Sequence, residues 1–411
     1  MALNYLWIIF FVLAFIVALF KLIFLGDTEI FKLIMDGMFD SAEMAVMKIA
    51  LPLAGVMTFF MGLLNIGEKA GATRFLARLT GPFFAKLFPE VPANHPANGQ
   101  MIMNFSSNML GLDNAATPFG LKAMQSLQDL NPQKDTASNA QIMFMVLHSA
   151  GPVLIPLSIM AQRSIYGAAD AADIFIPCLI ATYVATLTGL IIVAIKQKIN
   201  LFDQTILSWL GGISVSIAVL LWYFSSLPKD QIQVQSKVFS NFLLFSIVIS
   251  FLIGGYLKKV DVFGSFIEGA KGGFETSVKI IPYLVGMLVA ISALRNSGVL
   301  TYIVDGMKIG FEWMGLNTAF TDALPTALMH PLSGGGSRAL MIDTMKTFGA
   351  DSFAGRLACV FQGSADTIFY VIALYFGSVN IKNTRYTLWA GLLADLAGIT
   401  TAILVSYLFF Y

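Results

Sequence analysis

Tyr5–Leu25 reads YLWIIFFVLAFIVALFKLIFL, an unbroken apolar run whose one charge is Lys21. A helix needs about 20 such residues to cross the hydrocarbon of a bilayer. The same length and character recur at Val46–Leu64, Ala172–Ile195, Thr205–Phe224, Val238–Leu257 and Thr387–Tyr411. Ile280–Leu294 is shorter but extendable at both ends. Two further windows are long enough yet interrupted. Ala140–Met160 contains His148-Ser149-Ala150-Gly151-Pro152, and Ser352–Phe376 contains Gln362-Gly363-Ser364-Ala365-Asp366. Charged residues make up 12% of the 411, against roughly 25% in soluble domains, which excludes a water-soluble globule. A net charge of +1 gives no basic excess to hold a nucleic-acid backbone. The first run lacks a positive leader and a small-residue cleavage site, so it reads as a retained span. Cys178 and Cys359 sit in apolar runs as small buried hydrophobes.

Between the spans lie amphipathic stretches that suit the membrane interface: Asp27–Glu43, Glu68–Leu79, Asp261–Ser277 and Leu300–Trp313. They help to reveal an internal repeat. Lys48-Ile49-Ala50-Leu51-Pro52 matches Lys279-Ile280-Ile281-Pro282. Phe105-Ser106-Ser107 occupies the place of Leu332-Ser333-Gly334, and Val146–Ala150 that of Val360–Ser364. Residues 1–198 and 238–411 therefore read as two copies of one plan, joined by a connecting helix and loop over 199–237. Each copy contains a serine-bearing segment, Asn98–Pro118 or Leu324–Met341, made of two short apolar pieces around a polar tip. Pieces that short do not cross roughly 30 Å of hydrocarbon, so each segment reads as a re-entrant hairpin. Four crossings per copy plus the connecting helix then make an odd number, which inverts the second copy. Inverted repeats with broken helices at the midplane are the plan of secondary transporters. Were the serine segments to cross fully, the copies would be parallel. The fold expected is thus all-α and polytopic, with two inverted-topology repeats. Lys and Arg are slightly more numerous on the N-terminal side, which places the N-terminus in the cytoplasm.

Ionisable groups at membrane depth mark function by default. Asp366 and Arg338 are the leading candidates, either for ligand contact or as an ion pair. His148 stands where the second copy has Gln362 and can carry a proton. Asp113, Asn114 and Asp343 flank the tips, where helix capping is the simpler role. Asp395 is expected to face the bundle. The tip residues Ser106, Ser107, Asn108, Ser333 and Ser337 both donate and accept hydrogen bonds.

The run His330-Pro331-Leu332-Ser333-Gly334-Gly335-Gly336-Ser337-Arg338 resembles spore maturation protein B, as do Gln362–Thr367 and Tyr375–Val379. Asn104, Leu110–Pro118 and Gly120–Met124 are similar to spore maturation protein A. Both belong to the nucleoside-recognition, or gate, superfamily, so the chain resembles a natural fusion of the two. The resemblance implies an architecture like that of concentrative nucleoside transporters, with interfacial helices, paired hairpins and broken helices. Two departures fall where a substrate would be read: His148–Pro152 in the first break and Asp366 in the second. The solute contacts expected are Asn104, Ser106, Ser107, Asn108, Asn114, His148 and Ser149 in the first copy. In the second they are Ser333, Gly334, Ser337, Arg338, Gln362, Ser364, Asp366 and Thr367. The leading expectation is a transporter-like protein of the bacterial inner membrane that moves or binds a small polar or anionic solute, with a coupling ion. Its partners are the lipid bilayer and further copies in a homo-oligomer. The alternative is a non-transporting membrane scaffold that binds a protein or lipid, as in spore maturation or envelope maintenance. An intramembrane hydrolase built on Ser333 or Ser337 with His330 is the weakest reading. No Walker or H-E-x-x-H motif occurs, and no metal or cofactor is expected.

Overall fold

The computed structural model describes residues 2–109, 113–153 and 156–411. Helix accounts for 80% of the chain, and no strand occurs among the described residues. The helices run α1 (Ala2–Leu25), α2 (Ile30–Met44), α3 (Leu51–Ala70), α4 (Ala72–Leu87), α5 (Pro96–Met109) and α6 (Asp113–Leu130). Then come α7 (Asn139–Ser149), α8 (Leu157–Ile165), α9 (Phe175–Gln197), α10 (Gln204–Ser225) and α11 (Lys229–Leu257). The chain ends with α12 (Val262–Ser297), α13 (Val299–Trp313), α14 (Leu324–Met329), α15 (Gly334–Phe348), α16 (Phe353–Gln362), α17 (Ile368–Ser378) and α18 (Thr387–Phe410). Six stretches among the described residues are long and apolar enough to cross a membrane.

The amphipathic stretch after α1 is not separate from the second span. Ile30–Ala70 is one continuous helix of 41 residues. Ala45–Ala50 within it is π-helical, and the Leu51 amide donates to the Val46 carbonyl, five residues back. Pro52 has no N–H to give the Lys48 carbonyl and would crowd it in a regular helix. The wider turn just before it absorbs that misfit. The second half has its counterpart in α12, a 36-residue helix that carries Pro282 inside it. Each long helix ends at a glycine in the left-handed region, Gly71 with φ 95° and Gly298 with φ 90°, a conformation that costs glycine nothing. Glu68–Leu79 is therefore split, with Glu68–Ala70 in α3 and Ala72–Leu79 in α4. After Gly298 the chain turns by 71° into α13.

Contacts divide the chain into two compact units. The first comprises Met1–Phe59, Ser158–Ala171 and Lys271–Gln362. Here Ala14 and Ala18 of α1 pack on Ile30 and Ile34 of α2 and Ala293 of α12. The Trp7 indole N–H donates to the Gly286 carbonyl at 2.9 Å. Arg163, fully buried, donates to the Ala350 carbonyl at 2.6 Å and to Asp351 at 3.1 Å. That tie fastens α8 to the start of α16.

The second unit comprises Phe60–Leu157, Ala172–Ala270 and Gly363–Tyr411. Its core joins Phe84, Phe88, Met101, Phe105, Met124, Phe144, Tyr375 and Phe376. α9 and α18 pack along a seam of small side chains, where Ala185 and Ala394 meet Ala150; small residues let helices approach closely in lipid. Ser138 starts α7 with a reciprocal cap, its hydroxyl accepting from the Gln141 amide while the Gln141 side chain accepts from the Ser138 amide. Each unit thus holds one serine-bearing helix pair: α5–α6 in the second, α14–α15 in the first. The interrupted windows are both broken, as α7/α8 and α16/α17, and both pairs are divided between units.

Candidate functional site

In the second unit a polar cluster forms where α5, α7 and the start of α17 converge. Asn104 and Asn108 lie one turn apart on α5, hence on one face. The Asn104 amide nitrogen donates to the Ala116 carbonyl of α6 at 2.7 Å. Its oxygen then faces His148 Nδ1 at 2.9 Å. A carbonyl oxygen only accepts, so Nδ1 carries a proton. The His148 ring meets Tyr375 edge to face, with centroids 4.8 Å apart. Room for that contact depends on Gly120, where an added Cβ would stand 2.5 Å from Tyr375 Cε1 and 2.8 Å from Asn104 Nδ2.

α7 stops at Ser149 because Gly151-Pro152 follow, and the residue before a proline avoids the helical region. The freed Ser149 carbonyl accepts the Asp366 amide at 2.6 Å. Asn108 Nδ2 bridges this junction at the edge of hydrogen-bond range, 3.4 Å from the His148 carbonyl and 3.5 Å from Asp366 Oδ2. Of the contacts expected from sequence, Asn104, Asn108, His148, Ser149 and Asp366 are thereby brought together. The Ser149 hydroxyl itself turns back onto the Val146 carbonyl at 3.2 Å. Ser106 and Ser107 are buried, and their hydroxyls find no hydrogen bond among the described residues. Ser364 and Thr367 are buried close by in sequence, Thr367 at the N-cap position of α17. The side chain of Asn114 lies outside the described residues.

In the first unit the hairpin residues have structural partners. The Ser333 hydroxyl caps α15 by accepting the Gly336 amide at 3.1 Å. Ser337 donates to the Thr326 carbonyl at 2.9 Å and so pins α15 to α14. Gly334 opens α15, and Arg338 lies half-buried in its first turns. Gln362 closes α16, its side-chain oxygen buried with no hydrogen bond among the described residues. Asp343 is no cap: it lies within α15 and pairs with Arg295 of α12, whose Nε donates to Oδ2 at 2.9 Å. Asp395 is buried, as expected of a bundle-facing carboxylate. Arg163 and Arg295 were legible only as basic residues flanking apolar windows, which reads as loop charge. Tyr375 was marked by the Tyr375–Val379 resemblance but not as a contact of the site.

A family model described as Nucleoside recognition (Gate) matches residues 50–163 and 277–382, together more than half of the chain. The chain belongs to the nucleoside-recognition family. Its two Gate segments contain both serine-bearing helix pairs and both breaks. Spore maturation protein B of Bacillus subtilis (strain 168) is 45% identical over 164 residues, 40% of this chain and 90% of that one. Spore maturation protein A of the same organism is 36% identical over 157 residues, 38% of this chain and 80% of that one. Two separate relatives of about two-fifths of the length each are what a fusion of the two would give. No solved structure matches this Gate protein.

Proposed function

We propose that this chain is a transporter-like integral membrane protein that binds a small polar solute at the cluster of Asn104, Asn108, His148 and Asp366. The observation that carries the reading is the convergence itself. Hairpin asparagines and two helix breaks, from segments up to 258 residues apart, meet in one hydrogen-bonded group. Broken helices at membrane depth expose backbone that only protein, water or a ligand can satisfy. A charged side chain at membrane depth costs about 2.5–3.5 kcal/mol on insertion scales, which makes the half-buried Asp366 a functional candidate by default. The cluster offers the Asp366 carboxylate as acceptor and the Asn108 amide as donor, and Ser107, one turn from Asn104 on α5, adds a hydroxyl with no hydrogen bond among the described residues. That mixture suits a neutral solute with both donors and acceptors better than an anion, and the family description makes nucleosides the first class to test. Gly334, Arg338 and Gln362 stand at the matching positions of the helix pair and break of the first unit.

The parallel order of elements in 1–198 and 238–411 supports two repeats of opposite topology. The sharing of each broken helix between units is what an inverted pair would produce. A bacterial inner membrane is the location that the relatives suggest. α1 and α10 are barely buried within the chain and offer faces to lipid or to further copies. A second reading, a membrane scaffold, is favoured by the relatives' names, which describe a maturation process and no transport.

Thermal unfolding of the detergent-purified protein across nucleosides, nucleobases and other small polar solutes separates the two. Stabilisation by one class, abolished in Asp366→Ala and His148→Ala, is the expected result, with Arg338→Ala testing the second hairpin. A wild-type protein indifferent to every solute, in detergent and in vesicles, would leave the scaffold reading standing alone.

A further inference from the structure

Within the second unit, α4 joins the ends of two spans. It begins at Ala72, directly after Gly71, where the long helix Ile30–Ala70 stops. Its other end is fastened to the start of Gln204–Ser225. Lys86 donates to Asp203, the cap of α10, at 2.9 Å, and Phe83 meets the Trp209 ring with centroids 6.1 Å apart. A helix of 16 residues reaches about 24 Å, and one held at both ends by span termini runs along the membrane face and crosses nothing. One side of α4 is settled against protein, where Thr80, Phe83, Phe84 and Leu87 are buried. The opposite side is bare and carries two rows. Arg74 and Arg78 are exposed one turn apart. Phe75, 66% exposed, and Leu79, 48% exposed, form the second row one residue further round.

The cations of this face are unmatched. α4 contains no carboxylate. Lys86 of α4 and Lys69 of α3 are taken by Asp203 and Glu268. Arg74 and Arg78 make no hydrogen bond or ion pair among the described residues. A guanidinium row beside an apolar row matches the boundary between phosphate headgroups and acyl chains, and the guanidinium fork fits a phosphate. A zwitterionic headgroup brings a cation of its own to compete there, whereas an anionic one does not. α13 of the first unit provides the contrast. It too follows a left-handed glycine and exposes Tyr302, Ile303 and Trp313, yet its Asp305 and Glu312 outnumber Lys308. We propose that the Arg74–Leu79 face of α4 is a docking site for anionic phospholipid, the two arginines holding headgroup phosphate while Phe75 and Leu79 lie against the acyl chains. The inference stands whether the chain transports a solute or serves as a scaffold.

The test titrates phosphatidylglycerol into full-length protein in neutral detergent and follows the midpoint of thermal unfolding. Phosphatidylcholine with the same chains is the reference. A rise specific to phosphatidylglycerol is expected, and it should vanish in about 1 M salt, where charges are screened within about 3 Å. One cation near an anionic surface is worth about fivefold in affinity, so Arg74→Gln with Arg78→Gln should weaken the apparent affinity about 25-fold. Phe75→Ser with Leu79→Ser should weaken it as well. Lys258→Gln with Lys259→Gln removes the same charge from the exposed turn after α11 and should leave the affinity within twofold. Unchanged affinity in monodisperse arginine variant, or an equal loss in the lysine variant, overturns the proposal. A rise of the same size with glycerol phosphate overturns it too, because a free anion would then suffice. Phe75→Cys protein that forms disulfide-linked dimers and ignores the lipid would assign the face to a second copy, the native cysteines being buried. Should the arginine variant fail to fold, a wild-type rise that phosphatidylcholine reproduces, or that survives high salt, still refutes the docking site.

Discussion

At the scale of single residues, Asn104 shows how one amide can fix the chemistry of another side chain. Its nitrogen is committed to the Ala116 carbonyl and its oxygen to His148, so the imidazole has no freedom to exchange its two nitrogens. Asn104→Ala leaves the half-buried His148 Nδ1–H without its acceptor, while the Ala116 carbonyl keeps its place in α6, and one such orphaned group costs about 1–3 kcal/mol. Unfolding in mixed micelles should therefore register a loss of about 1–3 kcal/mol. If stability were unchanged, water would have to be reaching His148 freely. Gly120→Ala attacks the same site sterically: the new methyl meets the Tyr375 ring, and overpacking of this kind costs about 1–3 kcal/mol. Tyr375→Ala in the same chain should recover part of that loss, since it removes the group that is struck. The sequence marks Asn104, His148 and Asp366 as candidates because polar groups are scarce among apolar neighbours. It cannot tell which partner each acquires. Ser333 and Ser337 look alike as tip serines, yet one caps a helix and the other ties two helices together. That difference depends on backbone amides and carbonyls that sequence does not position.

At the scale of elements, apolar length made the spanning helices legible, because twenty apolar residues have few alternatives in a chain of this composition. Junctions were less so. The sequence separates the interfacial stretch Asp27–Glu43 from a span that begins at Val46, whereas a π turn carries one helix through both. The same limit applies to Asp203, which sequence places in a loop. It caps α10 by accepting the Thr205 amide at 2.9 Å, and it receives Lys86 of α4 at 2.9 Å. The Lys86 hydrogen bond first, and the Thr205 amide next, hold its carboxyl below the ordinary range. A depressed carboxyl contributes stability in full above its unfolded pKa of about 4, and loses it as pH falls through the folded value. Acid unfolding of the wild type should therefore include a component below about pH 4 that is absent in Asp203→Asn. Because the pair is exposed, the difference should be small and should shrink further in high salt. A salt-independent difference would point to an indirect, structural effect of the substitution.

At the scale of the whole molecule, the division into units is not the division that a repeat suggests. The first half of the chain supplies Met1–Phe59 and Ser158–Ala171 to one unit and Phe60–Leu157 to the other. The second half supplies Lys271–Gln362 to the first unit and Gly363–Tyr411 to the second. Neither half holds all the apolar partners that its own helices bury. α1 and α2 pack on Ala293, and α7 packs on Tyr375. α16 receives the Arg163 tie from α8, in which a fully buried guanidinium reaches the Ala350 carbonyl and the partly exposed Asp351. A cut between Ser226 and Leu227, in the turn after α10, should therefore give two fragments that aggregate when expressed singly. Expressed together, they should purify as a one-to-one complex with a helical signal close to that of the intact chain. The two relatives that are separate chains of similar length make such a cut a natural one. A first fragment that stayed monodisperse and cooperative in unfolding by itself would show that its helices can satisfy one another. The contact division would then reflect a late packing of two independently stable halves.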